Sequence, residues 1–545
     1  MAYVHDIPLP FLKSCQQHPI YPRRLVDRSR YGVPLLEIFD KRFQARQRQL
    51  NLFSPDTIFS IPYWDVSKAG VVDQAILSSE QQLSQWIGDE FQQDPRSPTK
   101  VLAAKPDPQC RYIFLPSRSS VKPLELTQNA LKRILSYHQV APCLLDFLYC
   151  YGHADGTETE SARFSGLRTE KTLRGSNPAL NIPALNRSGR RYQMCYTLKG
   201  VDLKTADATG KAIIDKTWRT RPALIHHQFD IEKGTQLWII GDPLQGIQNL
   251  ITEHIHEKKS HAARYGTFAQ SFKSSLDSHL LYAQWACEGW RWHVQSLEEI
   301  FDKITDAVVT PGTHPQGNIN WMPEALVITQ LREEYLLDSI TALDSNVAIL
   351  NRLGAFYKGL IQDPAWPQAE LAAAQHCVSE FVSQLEEYTY DMGTHLKRAR
   401  LTAQRSKDRK DILIQHLNTQ NASKQEAYTH VMWEQQQKSG IDAVAMKVIT
   451  VITLVYLPMT FVSTFFSTDV VKYQDSGSND NDSTSASSQG SNSPAERVSN
   501  LALARFFEVS VPLMLLTFCL AYAWYKWEKR GINARERSFS EKYTV

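Results

Sequence analysis

The 545-residue chain has no CxxC pair, and its eight cysteines (Cys15, Cys110, Cys143, Cys150, Cys195, Cys287, Cys377, Cys519) are scattered. This excludes the usual zinc spacings and a disulfide framework, and the cysteines read as reduced, mostly buried thiols. Also missing are a glycine-rich phosphate loop and a GxSxG nucleophile elbow. The stretch Thr252–His261, TEHIHEKKSH, offers HExxxH in place of HExxH. Histidines five apart do not share a helix face, so the geometry of a zinc protease fails. A surplus of one charge is absent too: 60 basic residues stand against 57 acidic ones, a net charge of +3. A nucleic-acid partner would call for a larger, concentrated basic excess, so none is expected. The N-terminal segment MAYVHDIPLPFLKSCQQHPIYPRR lacks the apolar core of a secretory signal. The region ahead of Val448 is therefore expected in the cytosol. Neither an enzyme nor a tightly bound cofactor is expected.

What the chain does have is one long uncharged run, Val448–Ser467, VITVITLVYLPMTFVSTFFS. Twenty residues at 1.5 Å rise cross a hydrocarbon core ~30 Å thick. Thr453, Thr460, Thr464 and Ser467 recur at steps of seven, four and three, which is one helical face. Two readings are open: a helix–helix packing stripe whose hydroxyls bond their own backbone, or the lining of a wet path. Pro458 lies mid-run, removes one backbone donor and predicts a kink that frees the carbonyl of Leu454. Residues 503–527 hold a second apolar run, VSVPLMLLTFCLAYAWY at Val509–Tyr525, closed by Trp524, Tyr525 and Trp527. Between the runs, residues 468–502 are of low complexity and acidic on balance, and cannot bury enough to fold. Lys438 and Lys447 precede the first span, and Lys526, Lys529, Arg530, Arg535 and Arg537 follow the second. By the positive-inside rule both termini are cytosolic and residues 468–502 face out.

Upstream, residues 1–365 read as an α+β cytosolic head. Asp107–Pro116 is expected as a strand, Leu124–Tyr151 as helices and Asp155–Asn186 as loops. Arg191–Val201 alternates like a strand, and Ala223–Phe229 with Gln236–Ile240 reads as a hairpin turning at Gly234. His226 and His227 are neighbours on that strand, face opposite sides and cannot together chelate one ion. Residues 366–447 read as one long stalk helix, rich in Ala, Gln, Glu, Lys and Leu. Its length implies a bundle or coiled coil within an oligomer. Within it, Lys397, Arg398, Arg400, Arg405, Lys407, Arg409 and Lys410 form a basic run, read as a solvated face. The alternative is a surface for acidic groups of a partner subunit or lipid. A soluble head, a long stalk, a membrane helix at 448–467, an external loop at 468–502, a second membrane helix at 503–527 and a basic cytosolic tail at 528–545 complete the plan.

Met446-Lys447-Val448-Ile449-Thr450 followed by Leu457-Pro458-Met459-Thr460-Phe461-Val462 resembles the pore-helix pattern of the CorA family of divalent-cation channels. The ending VSTFFS is more similar to the CorA-like membrane proteins of filamentous fungi, which also lack the Gly-Met-Asn loop. Here Ser467-Thr468-Asp469 stands at that place. The resemblance implies a homopentamer in lipid, with Met446, Ile449, Thr453, Leu457, Thr460, Thr464 and Ser467 lining a pore. It makes Ser467, Thr468 and Asp469 the selectivity loop, Asp469 the residue meeting the metal, and Mg²⁺ the transported ion. Five aspartates in one ring would attract divalent cations and could alter selectivity. Glu298, Glu299, Asp302, Glu333 and Glu334 are acidic pairs that gating by cytosolic Mg²⁺ would require, though such pairs are commonly solvated. The plasma membrane is favoured over an organelle. The second reading is a non-conducting, membrane-anchored sensor or scaffold of the same architecture.

Overall fold

The computed structural model describes residues 7–542 apart from 29, 56–57, 90, 95–96, 104, 120–121, 153–163, 175–176, 207–211, 244–245, 258–261, 310–322 and 468–499. Two compact units emerge, Met1–Leu417 and Asn418–Val545. The first contains α1 (Leu9–Gln16), α2 (Val33–Leu50), β1 (Ile61–Val66), β2 (Val72–Leu77), α3 (Glu80–Ile87), β3 (Gln92–Asp94), β4 (Ser97–Leu102), β5 (Cys110–Ser117), α4 (Gln128–His138) and α5 (Leu144–Leu148). It continues with β6 (Leu167–Thr172), β7 (Arg191–Ala206), β8 (Ala212–Asp230), β9 (Gln236–Pro243), α6 (Gly246–Glu257), α7 (Ala262–Tyr265), α8 (Phe268–Cys287), α9 (Trp290–Val309) and α10 (Pro323–Ile361). Helix α11 (Leu371–Ser467) begins in the first unit and ends in the second, which also holds α12 (Asn500–Lys542).

Seven strands form one sheet in the order β2-β1-β5-β9-β8-β7-β6. Only the β5–β9 pair is parallel; the others run antiparallel. Side chains alternate across a strand, and the sequence uses both faces. Tyr112, Phe114, Trp238 and Ile240 face a core shared with Phe272 and Tyr282 of α8, Tyr357 of α10 and Phe381 of α11. Ile113, Leu115, Leu237 and Ile239 face a second core with Phe11, Phe43, Leu131 and Phe147 of the N-terminal helices. The sheet is thus the middle of three layers, covered by helices on both sides.

The β8–β9 hairpin forms where the sequence predicts it. Gly234 sits at φ +65°, and its N–H donates to the carbonyl of Asp230 at 2.9 Å. The Asp230 carboxylate accepts from the N–H groups of Glu232 and Lys233 at 3.0 and 2.9 Å, which closes the turn. His226 and His227 do face opposite cores, and both are fully buried. His226 Nδ1 lies 3.1 Å from Cys195 Sγ, while His227 stacks on Trp238 with ring centroids 3.9 Å apart. One expectation fails. The segment Asp155–Asn186, expected as loops, contains the edge strand β6, paired with β7 from Leu167↔Tyr196 to Thr172↔Arg191. Its sequence LRTEKT buries only Leu167, so it carries almost no apolar signal.

Candidate functional site

Helix α11 runs 97 residues without interruption, through Gly393, Gly440 and Pro458. Stalk and first apolar run are therefore one helix. Among the described residues two helices are long and apolar enough to cross a membrane, with windows of mean hydropathy 1.8 in α11 and in α12 at Ala504–Trp524. Within the second unit, Leu513 and Thr517 of α12 share with Leu457, Pro458, Thr460, Phe461 and Thr464 a groove of about 540 Å³.

At ~100° per residue, Met446, Ile449, Thr453, Leu457, Thr460, Thr464 and Ser467 fall within an arc of about 80°. All seven are exposed. Among the described residues of 440–467 only Pro458 and Val462 are buried, and they lie on the opposite side of the helix. The contrast is large: Leu457 is 72% exposed and Val462 4%. Thr453 Oγ1 donates to the carbonyl of Ile449 at 2.9 Å, Thr460 Oγ1 to Leu457 at 3.0 Å and Thr464 Oγ1 to Thr460 at 2.8 Å. Each hydroxyl proton is thus spent on the backbone, and the oxygen lone pairs remain to accept from outside the helix. Both readings of the stripe survive, because back-bonding and acceptor presentation coexist. Thr468 and Asp469 lie outside the described residues.

The basic run of α11 is a solvated face only in part: Lys397, Arg400, Arg405 and Lys407 are exposed, while four of its seven cations meet carboxylates. Arg398 Nε donates to Glu298 Oε1 at 2.9 Å, Arg400 pairs with Asp344 at 3.1 Å and Lys410 with Glu333 at 2.6 Å. Arg409 pairs with Asp302. The partners are acidic residues of α9 and α10 in the same unit. Charges separated by 56 to 107 residues in sequence meet where Val294, Leu297, Phe301 and Leu336 pack with Ala399 between these helices. Three of the acidic residues proposed from sequence, Glu298, Asp302 and Glu333, therefore already have cationic partners. Glu299 instead accepts from Gln295 Nε2 at 2.9 Å, and Glu334 is exposed. Among the described residues no group of three or more His, Cys, Asp or Glu side chains is arranged to hold a metal ion.

The sequence profile of the CorA-like transporters matches residues 13–309, more than half of the chain. The chain belongs to the CorA-like transporters. No curated protein matches it. The CorA-like match lies on the head, where no motif is legible by eye, and ends before α11. As a CorA-like protein it is integral to the membrane through its two apolar helices, and it belongs to a family of transporters.

The CorA-like head also contains a polar cluster that sequence reasoning misses. Arg111 on β5, Arg187 before β7 and Arg191 on β7 line one small cavity together with Asp107, His138 and Gln228. Arg187 Nε donates to Asp107 Oδ2 at 2.6 Å, and Arg111 forks onto Asp65 with two bonds of 2.9 Å. The only signal in the sequence is arginine at inward positions of apolar strands.

Proposed function

We propose that this protein is a passive channel for divalent cations, with Mg²⁺ as the favoured ion, assembled as a homopentamer around the membrane part of α11. The supporting observation is that Met446, Ile449, Thr453, Leu457, Thr460, Thr464 and Ser467 share one exposed arc of α11, on the side away from Pro458 and Val462, the two buried positions among its described residues 440–467. Met446, Ile449 and Leu457 form apolar rings that gate by excluding water. Thr460 and Thr464 form rings of hydroxyl oxygens. Their protons point to the backbone, so the oxygens accept hydrogen bonds from the water shell of a cation. Mg²⁺ dehydrates reluctantly, and recognition through its shell avoids that cost. Ser467, Thr468 and Asp469 form the outer mouth, where Asp469 concentrates cations. With both termini cytosolic in the plasma membrane, the potential drives entry by ~2.3 kcal/mol per charge per 100 mV.

The test is Mg²⁺ influx into liposomes carrying the purified protein, beside an Asp469→Ala variant. Influx that falls or loses selectivity in the variant supports the channel. No influx of Mg²⁺, Ni²⁺, Co²⁺ or Mn²⁺ from well-folded protein overturns it. A second reading, a non-conducting membrane-anchored sensor or scaffold, is favoured by Ser467-Thr468-Asp469 standing in place of Gly-Met-Asn. A monomer or dimer in detergent would favour that reading.

A further inference from the structure

The cavity lined by Arg111, Arg187, Arg191, His138 and Gln228 has a volume of about 40 Å³. A single water needs ~10–15 Å³ on this measure, so the space admits several waters or one compact ion. Its cationic side chains are deeply buried: Arg111 is 2% exposed, Arg191 6% and Arg187 9%. Each keeps a buried nitrogen with no hydrogen-bond partner among the described residues, namely Arg111 Nη1, Arg187 Nη2 and Arg191 Nε, together with His138 Nε2. Arg111 Nη1 lies 3.6 Å from Asp107 Oδ1, an ion pair too long for a hydrogen bond. On the acceptor side, Gln228 Oε1 is buried and likewise unpartnered.

Asp107 and Asp230 line the same cavity, so the case for an anion rests on the unpartnered donors, four nitrogens against the one acceptor Gln228 Oε1. Asp65 is engaged by Arg111 and by Trp86 Nε1 at 3.1 Å, and Asp230 by Ser188 and the hairpin N–H groups. Arg191 meets only carbonyls, donating to those of His138 at 3.1 Å and Gln139 at 2.8 Å. Burial lowers its pKa, but only to about 10, so it is charged at neutral pH. The carboxylates of Asp27, Glu170 and Asp230 act on its charge from further off, but unpaired buried donors are rare in folded proteins. Guanidinium forks match the geometry of oxyanions.

We propose that this cavity binds hydrogen phosphate. Three oxygens accept from the arginine nitrogens, and the one remaining proton is donated to Gln228 Oε1. The site lies in the head and is independent of the transport reading.

The experiment is equilibrium dialysis of full-length protein in detergent against ³²P-labelled inorganic phosphate, with sulfate as competitor. Saturable binding of one phosphate per chain is expected. Sulfate has no proton for Gln228 and should compete at least tenfold more weakly. Arg191→Lys keeps the charge but loses the fork, and Gln228→Glu places a carboxylate at the accepting position. Each should weaken binding at least tenfold, with the near-UV circular dichroism of Gln228→Glu checking that the fold is kept. Absence of saturable binding to folded wild-type protein, as for a cavity holding water alone, overturns the proposal. So does binding unchanged in folded Gln228→Glu, or sulfate binding as tightly as phosphate.

Discussion

Arg398 of α11 holds Glu298 of α9 in a fork, with Nε donating to Oε1 at 2.9 Å and Nη2 to Oε2. Thr402, one turn further on, donates its hydroxyl to the same Oε1 at 3.0 Å. With Arg409–Asp302 and Lys410–Glu333, this pair ties the start of the long helix to the helices beside it. A free cation seeking these carboxylates must compete with fixed cations of the same chain. The pair is partly exposed, with side-chain accessibilities of 38% and 22%, so its energy is discounted for screening. A double-mutant cycle of Arg398→Met and Glu298→Gln should give a coupling of about 0.5–1 kcal/mol, falling in high salt. Additive single effects in chemical denaturation would contradict the pairing.

Gly234 occupies a left-handed turn position at φ +65°, and a Cβ there would lie 3.3 Å from Gln109 Nε2. Gly234→Ala should destabilise the first unit by about 1–2 kcal/mol, the cost of that conformation for a residue with a Cβ. The shift in denaturation midpoint measures it. Unchanged stability would mean that the hairpin turns in another way.

Several histidines are buried neutral. Burial lowers the pKa of His279 to about 3, of His226 to about 3 and of His293 to about 4. Below pH 6.5 the unfolded chain takes up protons that the fold refuses until about pH 3–4. Stability is therefore present above pH 6.5 and is lost as the pH falls. Between pH 7 and pH 5 each such histidine should cost up to ~2 kcal/mol. His279 Nδ1 lies 2.6 Å from Tyr196 Oη and its Nε2 lies 2.8 Å from Tyr357 Oη. His279→Gln should flatten the pH dependence of the denaturation midpoint by about one proton. An unaltered slope would show that His279 titrates alike in both states.

Thr460→Val removes a hydroxyl from the exposed arc and keeps the branched shape. If hydroxyl oxygens receive the water shell, Mg²⁺ flux in liposomes should drop about tenfold, equivalent to ~1.4 kcal/mol of barrier. Met459→Leu, outside the arc, should leave flux within about twofold. Equal losses in both variants would point to a helix-packing role for the stripe.

From the sequence alone one could read the uncharged run at Val448–Ser467, the hydroxyl stripe of Thr453, Thr460, Thr464 and Ser467, the continuity of stalk and membrane helix, and the turn at Gly234. These follow from local rules: a helix repeats every 3.6 residues, an uncharged run of twenty has few fates, and glycine tolerates positive φ. Tertiary structure alone decided three other things. It made β6 a strand, because LRTEKT at a sheet edge is held by backbone pairing with β7 rather than by apolar burial. It gave four cations of the basic run of α11 carboxylate partners, because the partners of Arg398, Arg400, Arg409 and Lys410 lie some 56 to 107 residues away in sequence. It brought Arg111, Arg187 and Arg191 to one cavity, because β7 and β5 are joined through β8 and β9 in a sheet whose order no local pattern encodes. Charge and hydrogen-bonding groups act over a few ångströms, and only the fold sets which residues come that close.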